Sequence, residues 1–193
     1  AASDVYKRQD NFLPILGLLD EISSLGAIGS QYECESANAA VKNADDLYYR
    51  EVVALSKKSI DLTSTLALTL KADDFQKQDL FYSTVQALAH QCFNPCREVR
   101  EYSVKALSAT VLSFETNEEV TFDGIFEFSL FPLLTELTKP EVFQGGVNGF
   151  DKTYNEIFSL LCKVVLKQMD KSDVGTIAKV WTAVSYTHLR AHE

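Results

Sequence analysis

The chain has 193 residues, 46% of them hydrophobic and 23% charged, and its 18 Lys+Arg against 27 Asp+Glu give a net charge of −9. That length suits one domain rather than two large ones, the apolar fraction excludes wholesale disorder, and only 4 prolines and 8 glycines argue against a many-turned β-sandwich or barrel. The acidic balance excludes a broad basic face for nucleic-acid phosphates and gives no support to a polybasic membrane anchor.

Both ends read as foreign. Asp4-Val5-Tyr6-Lys7-Arg8-Gln9 and Val184-Ser185-Tyr186-Thr187-His188-Leu189-Arg190-Ala191-His192-Glu193 resemble translated sequencing-adaptor strings. Residues 1–9 and 184–193 are set aside on that basis, leaving 10–183 as a segment of a longer protein. Asp4, Lys7 and Arg8 together carry +1 and Arg190 cancels Glu193, so the remaining stretch carries −10. No run in it approaches the roughly 18 apolar residues that a membrane span needs. Four scattered cysteines, Cys34, Cys92, Cys96 and Cys162, suggest reduced cytosolic thiols rather than a disulfide framework.

The dominant period is helical. Phe12, Ile15, Leu16, Leu19 and Ile22 share one face of a first helix that is expected to stop at Gly26, with Pro14 tolerated in its first turn. Residues 29–43 are undecided. Asp45-Asp46 then opens a helix whose steps of three and four pick out Tyr48, Val52, Leu55, Ser59, Leu62, Leu66 and Leu70. A helix over 74–92 turns Phe81, Val85, Leu88 and Cys92 inward and ends at Phe93-Asn94-Pro95; another over 97–112 follows, carrying Val99, Tyr102, Ser103, Ala106, Leu107, Thr110 and Val111. The most apolar element, about 121–138, contains Pro132, which should kink or split it by removing a backbone donor. After a glycine-containing loop over 141–150, Asp151 caps a helix to 170 that buries Ile157, Leu160, Leu161, Val164 and Met169. A last helix runs through Ile177, Val180 and Trp181.

The elements repeat. Leu80-Phe81, Leu88 and Pro95 recur 45 residues on as Ile125-Phe126, Leu133 and Pro140; Val99, Leu107 and Val111 match Ile157, Val165 and Met169 at an offset of 58, the difference being close to the length of the inserted loop. A period of about 40–47 residues with two helices per unit is that of HEAT and armadillo repeats, so the expected fold is an all-α solenoid. Asn94-Pro95-x-Arg97-x-Val99-Arg100 fits the entry to a second repeat helix, with Arg100 reaching a polar partner in the adjoining repeat.

Candidate chemistry is sparse. His90-x-Cys92-x3-Cys96 lacks a fourth ligand nearby, and two residues apart on one helix His90 and Cys92 face different ways, so a zinc site is not assigned. A thiol enzyme would need a cysteine with a histidine base and an orienting group, and His90 is the one histidine outside the suspect tail. Cys92 and Cys162 fit core positions better. The carboxylate pairs Asp45-Asp46, Asp73-Asp74 and Glu118-Glu119 sit at helix starts, where negative charge suits the dipole. Gly145-Gly146-x-x-Gly149 lacks the Lys-Ser/Thr of a phosphate loop. Lys57-Lys58 reads as a solvated pair, Tyr48 and Trp181 as core aromatics, and Phe143 as exposed. No catalytic, cofactor-binding or metal-binding residue is assigned.

Four strings in order carry a resemblance. Leu19-Asp20-Glu21-Ile22-Ser23-Ser24-Leu25-Gly26-Ala27-Ile28-Gly29-Ser30 with Tyr32-Glu33, Cys96-Arg97-Glu98-Val99-Arg100 through Leu107, Phe126 with Leu130-Phe131-Pro132-Leu133-Leu134, and Leu160-Leu161-Cys162-Lys163-Val164-Val165-Leu166 with Val180-Trp181 together cover roughly 12–183. They resemble the helical region downstream of the exchange domain in the large Arf guanine-nucleotide exchange factors of the Golgi brefeldin A resistance factor, GNOM and Gea type. The resemblance implies a non-catalytic regulatory or scaffold segment in ER–Golgi vesicle-mediated transport. It implies no cofactor, protein partners and neighbouring domains of the parent chain, a parent acting on an Arf-family GTPase, and a cytoplasmic, peripherally Golgi-associated location. The family's exchange domain carries a glutamate in a motif like F-R-L-P-G-E, which does not occur here. The long loop at 141–151 and Cys162, where the family tends to have Ser, depart from its pattern. The alternatives are a HEAT scaffold or adaptor of another pathway and, more remotely, a thiol- or metal-dependent enzyme around His90, Cys92 and Cys96.

Overall fold

The computed structural model describes residues 11–31, 45–70, 75–113, 121–139, 142, 149–168 and, near the end of the chain, 175, 177–178, 180–182 and 185. The two suspect ends (Ser185 apart), Cys34, Asp73-Asp74, Glu118-Glu119, Pro140, Phe143, Gly145-Gly146 and Met169 lie outside the described residues. Helix is the regular structure among those described, with no strand. The elements are α1 (Phe12–Ser24), running into a 3₁₀ turn (Leu25–Ile28), α2 (Asp45–Thr69), α3 (Phe75–Gln91), α4 (Arg97–Ser113), α5 (Phe122–Ile125), a π-helical stretch (Phe126–Leu130), α6 (Phe131–Leu137) and α7 (Phe150–Gln168). The chain divides into two compact units at Phe114/Glu115.

In the first unit α2 packs against α1, α3 and α4, and α1 and α4 each pack against α3. The expected inward faces of α3 and α4 are found: Phe81, Val85, Leu88, Cys92, Val99, Ser103, Leu107, Thr110 and Val111 are buried, while Tyr102 and Ala106 are half-buried.

The first two helices depart from the sequence reading. α1 does not stop at Gly26; helix continues through the 3₁₀ turn to Gln31. Gly26 and Gly29 are close-approach positions rather than terminators. A Cβ on Gly26 would lie 2.6 Å from Ser56 Oγ and 2.8 Å from Val99 Cγ2; one on Gly29 would lie 2.5 Å from Val53 Cγ2 and 2.9 Å from Cys96 Sγ. The uninterrupted Phe12–Gln31 helix is, by length and composition alone, apolar enough to cross a membrane, a match missed when the helix is cut at Gly26. Here its Phe12, Leu16, Leu19, Ser23 and Gly26 line the core, and Ile15 is exposed.

α2 is rotated from the expected stripe. It buries Val53, Ser56, Ser59, Ile60, Thr63 and Ala67, and leaves Tyr48, Leu55 and Leu62 exposed. The reason is the tight crossing with α1. Ser59 Oγ donates to the Leu19 carbonyl at 2.7 Å and Ser56 Oγ to the Ile22 carbonyl at 3.2 Å. Small hydroxylated side chains let the backbones approach and find acceptors there, so a Ser/Thr seam takes the place where a leucine stripe was expected.

In the second unit Pro132 does split its helix. It sits in the first turn of α6 directly after the π-helical stretch. A proline has no N–H for the carbonyl four residues earlier, and widening the preceding turn accommodates the missing donor. Ile125, Phe126, Leu130, Leu133, Leu134 and Leu137 are buried, as are Ile157, Leu160, Leu161 and Val164 of α7. Three repeat pairs agree in burial, Phe81 with Phe126, Leu88 with Leu133 and Val99 with Ile157, whereas Leu80 and Val165 are half-buried where their counterparts Ile125 and Leu107 are buried. Gly149, at φ 68°, takes the left-handed backbone that brings the loop into α7, and Asp151 follows in the first turn.

Candidate functional site

The densest polar cluster of the first unit forms where α1 meets the corner between α3 and α4. The corner follows from its sequence. Pro95 ends α3's continuation, and Asn94 Oδ1 accepts the Cys96 N–H at 3.0 Å, capping the entry to α4. Asn94 Nδ2 donates to the Gln91 side chain at 3.0 Å and to the Ser23 carbonyl at 3.3 Å. Gln91 Nε2 reaches Asp20 Oδ1 at 2.7 Å and Ser24 Oγ at 2.8 Å, while His90 Nδ1 lies 2.9 Å from Asp20 Oδ2. Arg100, fully buried, donates from one guanidinium nitrogen to the carbonyls of Asn94 (2.7 Å) and Pro95 (3.3 Å). These two arginine bonds hold its own corner. Arg100 was legible in the sequence; the Asp20–His90–Gln91 group was not, because its members come from helices 70 residues apart.

The cluster's hydrogen bonds tie α1 to the corner between α3 and α4. His90 is exposed and held by Asp20, whereas Cys92 is buried with its Sγ 3.4 Å from the Leu88 carbonyl. The two therefore face different ways. Cys96 is buried between α1 and α4 and Cys162 is half-buried, so the pair of core thiols is Cys92 and Cys96 where Cys92 and Cys162 were expected. Among the described residues no three His, Cys, Asp or Glu side chains are grouped to hold a metal ion.

A second feature is a cleft of about 370 Å³ lined by Gly29, Tyr49, Arg50, Val53, Ala54, Lys57, Cys96 and Glu98. Lys57 forms an ion pair with Glu98 at its edge and stands 5.5 Å from the centre of the Tyr102 ring. Lys57 is thus half-buried and paired rather than solvated, while Lys58 is exposed as expected. Tyr102 Oη donates to Asp61 Oδ1 at 2.8 Å, and that hydrogen bond, helped by burial and the carboxylate's charge, holds the phenol above its ordinary value of 10.0. The cleft offers a cation, an anion and a buried thiol, all engaged in packing the helices around it.

The aromatics expected in the core are outside it. Trp181 is 72% exposed and Tyr48 57%.

Residues 81–191 match the family described as "GBF1-like, tetratrico peptide repeat region". Two Saccharomyces cerevisiae proteins are similar along most of the chain. ARF guanine-nucleotide exchange factor 2 is 33% identical over 185 residues, and ARF guanine-nucleotide exchange factor 1 is 30% identical over 175. Each comparison covers 86% of this chain and only 12% of the relative, so the chain spans about an eighth of the proteins it resembles. Tetratricopeptide and HEAT repeats are both built from antiparallel helix pairs. The match and the observed helices agree on an all-α fold of the α-solenoid class.

Proposed function

Because the chain belongs to the GBF1-like tetratricopeptide repeat region family, a helical region of the Arf guanine-nucleotide exchange factors, we propose that it is a non-catalytic regulatory and scaffold segment of such a factor. What supports this reading is the use of its buried polar side chains in packing. Gln91, Asn94 and Arg100 of the cluster are buried and bond to helix ends and to the α3–α4 corner, while Asp20 and exposed His90 bond to each other at the rim of an open cleft of about 330 Å³. In this proposal the exchange reaction on an Arf-family GTPase belongs to another part of the parent chain, and this segment contributes surfaces for recruitment and autoregulation. Its setting is ER–Golgi transport, on the cytoplasmic side, with peripheral Golgi association through the parent. The acidic net charge of −9 favours protein partners over nucleic acid.

The experiment is recovery of the coding sequence on the upstream side. It is expected to contain an exchange domain with a motif like F-R-L-P-G-E. An upstream frame of comparable length to the yeast relatives but lacking that domain would sink the proposal in favour of a scaffold from another pathway.

A further inference from the structure

The exposed apolar residues of this chain are concentrated on two helices. Leu13, Ile15, Leu18 and Leu25 of α1 and the turn after it, and Leu47, Tyr48, Leu55, Leu62 and Leu68 of α2, are all exposed. α3 and α4 expose no large hydrophobic side chain among the described residues. Leu13 lies on the α3 side of α1 and Leu68 on the α4 side of α2, but Ile15, Leu18 and Leu25 form one face with Tyr48, Leu55 and Leu62. The Ser59–Leu19 and Ser56–Ile22 hydrogen bonds set α1 and α2 side by side and antiparallel. Ile15, Leu18, half-buried Ile22 and Leu25 recur at steps of three and four along the flank of α1 nearest α2. Tyr48, Leu55 and Leu62 recur at steps of seven along α2, with half-buried Val52 and Leu66 completing the stripe. A side-chain period of three, four and seven keeps residues on one helix flank.

The seam α2 buries mixes Val53, Ile60 and Ala67 with Ser56, Ser59 and Thr63, while its outer stripe is carried by Tyr48, Leu55 and Leu62. A helix with apolar side chains on two faces is expected to be packed on both sides. Contiguous exposed apolar surface of this kind marks an interface.

We infer that the outer face of α1 and α2 is covered by an apolar-faced helix or helix pair from a neighbouring part of the same parent chain. Three observations favour that occupant. Repeat units bury such faces against the next unit of the same chain. The chain accounts for only 12% of the length of either yeast relative, which leaves ample covalently tethered sequence to supply the covering helix at high effective concentration. Exposed Glu21, Glu51 and Lys58 border the stripe, which leaves it without the net basic rim that an anionic lipid surface would require. This inference uses the proposed membership in a longer exchange factor only for the presence of adjoining helical sequence; the identity of the upstream domain does not enter it.

The test is pulse alkylation of the full-length parent protein carrying Leu18→Cys, Leu62→Cys or, as an exposed polar control on α4, Lys105→Cys, with each peptide read by mass spectrometry. In dilute solution without lipid, the two leucine positions are expected to label at least tenfold more slowly than position 105. Equal rates would overturn the inference. Protection that disappears on dilution would assign the face to a second copy, and protection appearing only with anionic vesicles would assign it to a membrane; either result also overturns it. Hydroxyl-radical footprinting of the unsubstituted protein guards against misfolded variants. Leu18 and Leu62 should oxidise less than Leu166, which is exposed on α7, and comparable oxidation would count against the interface as well.

Discussion

Replacing Arg100 by alanine is expected to destabilise the first unit by about 3 kcal/mol, since a buried charged hydrogen bond contributes about 1.5–3 kcal/mol and truncation leaves a void besides. The guanidinium is fully buried and donates to the carbonyls of Asn94 and Pro95, the two residues that turn the chain from α3 into α4. Without it both carbonyls lose a donor inside the protein, and the corner that also binds Ser23 and Gln91 loses its anchor. Arg100→Lys keeps a charge but not the planar fork, and is expected to recover only part of the loss. Urea unfolding followed by circular dichroism measures both variants. A loss under about 1 kcal/mol for the alanine variant, the worth of an ordinary hydrogen bond, would show that the corner does not depend on the arginine.

The second large effect concerns two glycines of one helix that should respond with opposite signs. Gly26→Ala is expected to cost about 1–3 kcal/mol, the usual penalty of forcing a methyl into packed surroundings. The new Cβ would sit 2.6 Å from Ser56 Oγ and 2.8 Å from Val99 Cγ2, so α1 must move away from both α2 and α4. Gly17→Ala meets nothing within 4 Å and should instead gain about 0.5–1 kcal/mol from helix propensity. The same unfolding measurement separates the two. If Gly26→Ala were also stabilising, the close crossing of α1 with α2 would not exist in solution.

These residues also mark where sequence alone reaches its limit. α3, α4 and α7 were legible because each has one apolar face, buried in the structure through Phe81, Leu88, Val99, Leu107, Ile157 and Leu161. Pro132 announced the break in its helix through chemistry that does not depend on context. α2 was legible as a helix but not in its orientation, since Tyr48, Leu55 and Leu62 make the stronger apolar pattern and are the residues left outside. The competing seam is carried by serine and threonine hydroxyls that find carbonyl partners on α1. Gly26 carried the right signal with the wrong sense, because a glycine that ends a helix and one that admits a neighbouring helix are the same letter. Of the polar cluster, Asn94-Pro95 and Arg100 stood out locally. Asp20, His90 and Gln91 come together only through the packing of α1 on α3, which no spacing in the chain records.

In the proposed division of labour this segment packs and presents surfaces while nucleotide exchange happens elsewhere in the parent chain. The most direct measurement is release of a fluorescent GDP analogue from an Arf GTPase, with the full-length parent and with this 193-residue chain added in separate reactions. Faster release is expected with the full-length protein and the spontaneous rate with the segment, at any segment concentration reached. Acceleration that rises with segment concentration would contradict it.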